Sequence, residues 1–134
     1  MSKQTNGFVW FKHTDSLFER STGSGHSQSF LKTRYNAVAA TMLDGTGKVL
    51  PNAVFPDESL IVKELYTDST TLDQYAILYK KSTSQFADQS GWVWGYIKSD
   101  GTVLIPASKK GGSCINCHSQ ADNIDYMLMN KYFP

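Results

Sequence analysis

The sequence predicts an α+β fold, mainly antiparallel β-sheet with a few short helices, ending in a C-terminal helical segment. Short runs of β-branched and aromatic residues recur through the middle of the chain, of which SLIVKELYT at Ser59–Thr67 is the clearest. An Asp-Gly pair, Asp100-Gly101, separates two such runs, which is typical of a β-hairpin. The 134 residues fit a single domain, 1–134, that can bury a core without several disulfides.

The individual elements follow from local pattern. Asn36–Leu43, NAVAATML, is Ala-rich and begins with a good N-cap residue, so it predicts a short helix. The remaining apolar runs predict strands at Phe8–Lys12, Phe30–Tyr35, Ser59–Thr67, Gln74–Lys80, Trp92–Ile97 and Thr102–Ile105.

The chain changes character after Pro106. A Lys/Gly loop, Ser108–Ser113, leads into CINCH at Cys114–His118, and Ala121–Tyr132 then has polar and Met residues at helical spacing. We therefore expect the CINCH motif to be carried by the C-terminal helical segment.

Composition excludes some classes of partner. The net charge is +1 and no basic stripe occurs, so we expect no nucleic-acid partner. No apolar run is long enough for a membrane span. The N-terminal MSKQTNGF lacks the apolar core of a secretory signal, so an exported protein would be represented here by its mature part.

The 13% of aromatic residues suits a large flat ligand, and a β-rich core would also account for it.

The CINCH motif holds both cysteines of the chain and one of its three histidines. A disulfide across so small a loop would stabilise little. A redox pair normally opens a helix in a βαβ unit, and zinc would need further ligands that only the distant His13 and His26 could supply. A c-type haem uses every residue of the motif, with thioethers from Cys114 and Cys117 and with His118 as axial iron ligand. We predict one haem c per chain.

The other face of the haem decides the function, because a sixth protein ligand makes an electron carrier and an open position makes a gas binder or an enzyme. Met127 and Met129 follow His118 too closely to reach the opposite face comfortably. A His/Met electron-transfer cytochrome is therefore the least favoured reading, and core packing of Met127 is favoured.

Three segments and the chain end together resemble one family. FPDESLIVKELY (Phe55–Tyr66), GWVWGYI (Gly91–Ile97), CINCHSQADNIDYM (Cys114–Met127) and KYFP (Lys131–Pro134) resemble the cytochrome P460 family, which includes the cytochromes c′-β. The resemblance implies a β-sheet carrying a c-type haem, five-coordinate iron with His118 proximal, a homodimer, and export to the periplasm. Some members oxidise hydroxylamine or nitric oxide and pass electrons to a partner such as a redox cytochrome. Others bind nitric oxide or carbon monoxide without turnover.

One lysine bears on the choice between these activities. In the oxidising members a strand lysine is bonded to the haem macrocycle, and Lys63 falls at that position. Strand alternation places Ser59, Ile61, Lys63 and Leu65 on one face. The alternative is a lysine that extends to the rim and forms a salt bridge. On the strength of Lys63, the prediction leans towards an enzyme, with a non-enzymatic nitric oxide or carbon monoxide binder as the alternative.

The residues of the distal pocket are less well marked. The strand expected to supply a distal carboxylate, Tyr75–Ser84, has none, and Asp88 lies just beyond it. The missing acid favours ligand binding over oxidation. Arg34 falls near a distal arginine of the oxidising members, and Phe30 and Phe55 are candidates for an apolar distal wall. Core packing is the alternative for both phenylalanines.

Overall fold

The computed structural model describes residues 7–14, 16–19, 28–88, 90–106, 118–119, 123–125 and 127–129. Its centre is a seven-stranded sheet in the order β1-β3-β4-β5-β6-β7, with β2 also paired to β3. Every pairing of neighbouring strands is antiparallel. The strands are β1 (Val9–Trp10), β2 (Phe18–Glu19), β3 (Phe30–Tyr35), β4 (Leu60–Tyr66), β5 (Leu72–Lys80), β6 (Trp92–Lys98) and β7 (Val103–Ile105).

The prediction of a mainly antiparallel sheet is confirmed. Strand β3 has the predicted bounds, and β4 to β7 differ from theirs by one or two residues. The strand expected at Phe8–Lys12 is shorter, because the chain turns into a 3₁₀ helix at Phe11–His13 with Lys12 and His13 at positive φ. Strand β2 was not predicted, since two residues are too few to give a pattern.

The predicted first helix exists as α1 (Ala37–Ala40). The Asn36 side chain accepts a hydrogen bond from the Ala39 N–H at 2.9 Å, which is the N-cap bond that the sequence indicated. The helix ends before Leu43, because Leu43 pairs in a β-bridge with Val49.

The predicted C-terminal helical segment is wrong. Ile124 and Met127 form an antiparallel bridge, each donating its N–H to the other's carbonyl, at 2.9 and 2.8 Å. Asp125 between them has φ +47°, in the left-handed region that a right-handed helix cannot include. The complete helices in the described ranges are α1 and the 3₁₀ helix at Phe11–His13. No helix in those ranges is long and apolar enough to cross a membrane.

The sheet has two faces, and both are largely covered. Directly opposed residues of antiparallel neighbours share a face. The face that includes Lys63 of β4 is called the pocket face, and its residues in the four central strands are Leu31, Thr33, Tyr35, Ile61, Lys63, Leu65, Gln74, Ala76, Leu78, Lys80, Trp92, Trp94, Tyr96 and Lys98. The opposite face is called the back face, and it includes Phe30, Lys32, Arg34, Val62, Glu64, Tyr66, Tyr75, Ile77 and Tyr79.

The main core packs against the pocket face. It joins that face to Phe11, to α1 through Ala39, and to Phe55 from the segment before β4. A smaller apolar cluster around Leu60, Val62 and Tyr75 covers the back face. The larger core therefore lies on the side where Lys63 points.

Candidate functional site

A pocket opens on the pocket face and brings His118 and Lys63 together. It holds about 580 Å³ of empty space, part of it open to solvent. Most of the side chains around it are apolar or aromatic. Its lining residues are Thr33, Tyr35, Ile61, Lys63, Ala76, Ile77, Leu78, Trp94, Gly95, Tyr96, Ile105, His118, Met127, Leu128 and Met129.

His118 enters this pocket from the segment after the sheet. Its ring packs against the Trp94 ring in a T-shaped arrangement, with centroids 5.0 Å apart and an interplanar angle of 73°. Cys114 and Cys117 lie outside the described residues, so the predicted thioether bonds stay predictions. The described part of the motif is the imidazole, and it faces the same cavity as Lys63.

Lys63 lies at the middle of β4, and its neighbours across the ladder are small. Thr33 of β3 and Ala76 of β5 stand directly beside it. Short flanking side chains leave room around a long one on the same face of a sheet. The lysine lies on the same face of β4 as Ile61 and Leu65, as the strand alternation predicted, and the pocket opens on that face.

Residues after His118 form one wall of the pocket. Met127, Leu128 and Met129 are buried and line it. The Thr33 hydroxyl donates a hydrogen bond to the Met129 Sδ at 3.4 Å, which joins this wall to β3. Met127 packs in the main core, in agreement with its predicted role.

Asp125 fastens that wall to the sheet. One oxygen, Oδ2, accepts hydrogen bonds from the Phe55 N–H at 2.9 Å and from the Lys80 Nζ at 2.7 Å. The Asp125 carbonyl accepts from the indole N–H of Trp92 at 3.0 Å. These contacts could not be predicted from the sequence, because sequence spacing does not indicate which distant groups an aspartate meets.

Tyr35 lines the pocket beside Ile61 and is fully buried. Burial raises the pKa of its phenol above the ordinary tyrosine value. Tyr35 therefore stays protonated at neutral pH and does not serve as a phenolate base.

The three predicted distal residues do not line this pocket. Arg34 lies on the back face, where it forms a buried ion pair with Glu64. Phe30 is on the same back face, opposite Tyr66. Phe55 is in the main core, where it stacks on Tyr35 with centroids 6.4 Å apart.

Arg34 is held by aromatic rings as well as by its carboxylate. Its guanidinium lies 5.2 Å from the Phe8 ring centroid and 5.9 Å from those of Trp10 and Tyr75. Burial lowers the pKa of Arg34 below the ordinary arginine value, and the Glu64 charge opposes that shift. The arrangement is that of a structural ion pair on the face away from the pocket.

Comparison with known protein families gives a match over most of the chain. The family model described as Cytochrome P460 matches residues 9–129, which is most of the chain and includes every strand of the sheet as well as His118. No curated protein matches the chain.

Proposed function

The chain belongs to the cytochrome P460 family, and on that premise we propose that it is a c-type haem protein that oxidises hydroxylamine or nitric oxide. Family membership implies a haem cofactor. The finer parts of the proposal are one haem c per chain, thioether bonds from Cys114 and Cys117, and His118 as the axial ligand of five-coordinate iron.

The described residues fit such a group. The described side chains that line the pocket are mostly apolar. His118 contributes an imidazole to this lining, and that imidazole could bind the iron. A buried apolar environment with one protein ligand is typical of haem sites. When bound, the haem supplies an iron that can hold a small ligand and exchange electrons.

The single observation that carries the oxidation proposal is that Lys63 points into the same pocket as His118. In the oxidising members of the family a lysine at this strand position is bonded to the macrocycle. Such a bond replaces one N–H and one C–H by a C–N bond, so its formation removes two electrons and two protons and requires an external two-electron oxidant. Macrocycle modification is one of the ways in which a protein alters haem reactivity.

A second candidate function is the binding of nitric oxide or carbon monoxide without turnover. It is favoured by the lining of the pocket, in which the described residues include no carboxylate. Oxidation of hydroxylamine releases protons and needs an acceptor near the bound substrate. Glu64, next to Lys63 in sequence, points to the back face and is engaged with Arg34. Tyr35 stays protonated because it is buried.

Family membership is also our ground for three further parts of the proposal. We propose that the protein acts in the periplasm, since bacterial c-type haem is attached outside the cytoplasm. We propose that it works as a homodimer. A redox partner such as another cytochrome would accept the electrons that oxidation releases.

The test is the visible spectrum of the haem-loaded, dithionite-reduced protein, measured for the natural chain, Lys63→Arg and Lys32→Arg. Lys32 is the matched control, because it is a lysine of neighbouring β3 that lies on the back face. We expect a strongly red-shifted Soret band in the natural chain and in Lys32→Arg, and its loss in Lys63→Arg. After tryptic digestion, the peptide that contains Lys63 should be linked through the haem to the peptide that contains Cys114 and Cys117.

Hydroxylamine-dependent reduction of an artificial acceptor should follow the same pattern across the three proteins. An ordinary high-spin spectrum in all three, together with nitric oxide binding and no turnover, would remove the oxidation proposal and leave the second candidate.

A further inference from the structure

The His118 imidazole is in contact with the indole ring of Trp94. Trp94 lies in β6, is 3% exposed and lines the pocket. The T-shaped packing of its ring on the imidazole, with centroids 5.0 Å apart, is a preferred geometry for aromatic pairs. An imidazole bound to iron could otherwise rotate about its bond to the metal. A ring packed against it at a steep angle opposes that rotation.

The Trp94 ring is itself held by a carboxylate. Its indole N–H donates to Asp88 Oδ2 at 2.8 Å. The other oxygen, Asp88 Oδ1, accepts from the backbone N–H groups of Ser90 at 2.8 Å and Trp92 at 3.0 Å. The Asp88 backbone N–H donates to the Trp92 carbonyl at 2.9 Å. Both oxygens of this carboxylate are thus committed, and the residue cannot swing away from the indole without losing bonds to the backbone.

We infer that Asp88 and Trp94 are positioning residues that fix the orientation of the His118 imidazole. Asp88 fixes the indole, and the indole fixes the imidazole plane. Groups that orient a metal ligand in this way control the strength of its bond to the metal, and through it the affinity for a ligand on the opposite side. The inference rests on the proposed role of His118 as axial iron ligand.

The first experiment compares Trp94→Phe with Trp92→Phe in the haem-loaded ferrous protein. Trp92 is the matched control, because it lies two residues away on the same strand face and is buried, but is not among the residues that line the pocket. Its indole N–H donates to the Asp125 carbonyl at 3.0 Å. The measurement is the iron–histidine stretching band by resonance Raman spectroscopy. We expect Trp94→Phe to shift and broaden this band and Trp92→Phe to leave it in place.

A second readout is the rate at which excess imidazole, after it has filled the open iron position, replaces His118 on the iron. Loss of an orienting group should raise this rate on the order of 10-fold in Trp94→Phe relative to Trp92→Phe. Equal band positions and equal replacement rates in the two variants would overturn the inference.

Asp88→Asn tests whether Asp88 acts through Trp94. An amide offers one acceptor oxygen, so it cannot serve both the indole and the two backbone N–H groups. We expect Asp88→Asn to shift the band in the natural background and to add nothing in the Trp94→Phe background. An equal shift in both backgrounds would overturn the role of Asp88.

If His118 is not the axial iron ligand, the measurements would differ from those expected when only the positioning role is wrong. If the natural protein lacks an iron–histidine band, or if His118→Met leaves that band unchanged, then His118 is not the axial ligand and the positioning role falls with it. If the band is present and is lost in His118→Met, His118 is the axial ligand. The Trp94 and Asp88 variants then test only whether these two residues orient its imidazole.

Discussion

The two faces of the central sheet each hold a basic side chain from adjacent strands, and they hold it in different ways. On the back face Arg34 is fully buried, paired with Glu64 and surrounded by rings. On the pocket face Lys63 is partly buried in a mostly apolar lining whose described members include no carboxylate. Lys63 and Glu64 are neighbours in sequence, so it is the alternation of β4 that separates the acid from the pocket.

Arg34 is therefore held as a structural cation, whereas Lys63 faces the candidate site. A buried ion pair whose partner is removed leaves an uncompensated charge, whereas a lysine that is only partly buried keeps some contact with solvent. The stability of the domain should therefore depend on Arg34 and little on Lys63, and the spectrum of the bound haem should depend on Lys63 and little on Arg34.

The largest effect is expected from Arg34→Met. Removing the guanidinium leaves Glu64 buried without its main counter-charge, which should lower the free energy of unfolding by about 3–5 kcal/mol. Urea unfolding followed by linear extrapolation measures it. The double variant Arg34→Met/Glu64→Leu should recover most of the loss, because it removes both charges. If the double variant is as unstable as the single one, the ion pair is not the cause.

Lys63→Met is the matching change on the pocket face. We expect a loss of about 1 kcal/mol or less in the unfolding free energy of the haem-free protein, since exposed or partly exposed ionic contacts contribute little. A loss as large as that of Arg34→Met would show that the two cations contribute equally to the stability of the domain.

Asp125→Asn should have the next largest effect. The amide can still accept from the Phe55 N–H, but it has no charge to offer Lys80, so we expect a loss of about 1.5–3 kcal/mol in unfolding free energy. The control is a double-mutant cycle with Lys80→Met. Because the two side chains are bonded to each other, the loss in the double variant should be far smaller than the sum of the losses in the two single variants. Additive losses would argue against the Lys80–Asp125 bond.

Thr33→Val should have a smaller effect of about 1 kcal/mol, because it removes the hydroxyl that donates to the Met129 Sδ. The control is Thr41→Val, the same change at an exposed threonine directly after α1. The thermal unfolding midpoints of the two variants are compared. The Thr33 change alone should also alter ligand entry, measured as the carbon monoxide association rate. Identical rates in the two variants would exclude a role of this bond in holding the wall.

The smallest effect concerns acid pH and the exposed turns. Hydrogen bonds from Ser82 lower the pKa of Asp57, and hydrogen bonds from Thr46 lower that of Asp44. A folded-state pKa below the unfolded value means that the stabilisation is complete above the unfolded pKa of about 3.9 and is lost as the pH falls through the lower folded value. Urea midpoints should therefore fall slightly below about pH 4, and less so in Asp57→Asn. An equal slope in the variant would contradict the contribution of Asp57.

Much of the sheet could be predicted from sequence, because its signals are local. Alternation in β4, the Asp100-Gly101 turn and the Asn36 cap all depend on residues close together in the chain, and the structure confirms them. The placement of Lys63 on the same face as Ile61 and Leu65 followed from the same alternation.

The parts that failed depend on distant contacts or on single backbone angles. The C-terminal segment has helical spacing of its apolar residues, yet the positive φ of Asp125 ends any helix there, and the reason is its bonding to Phe55 and Lys80 far away in the chain. Arg34 could not be assigned to a face relative to Glu64 until the register of β3 on β4 was known. The Trp94–Asp88 bond likewise joins a strand to a turn, and no spacing rule indicates it.

The hydrogen bonds of Asp125 to Phe55 and Lys80 also affect the order in which the parts of the domain fold. Strands β3 to β7 pair with their neighbours along the chain, so most of the sheet can form from contacts that close short loops. The bonds from Asp125 to Phe55 and to Lys80 span 70 and 45 residues, and their loop-closure cost favours their formation after the sheet is in place. The tail with its two cysteines is thus expected to meet a finished sheet, and the wall of the site is the last surface of the domain to close.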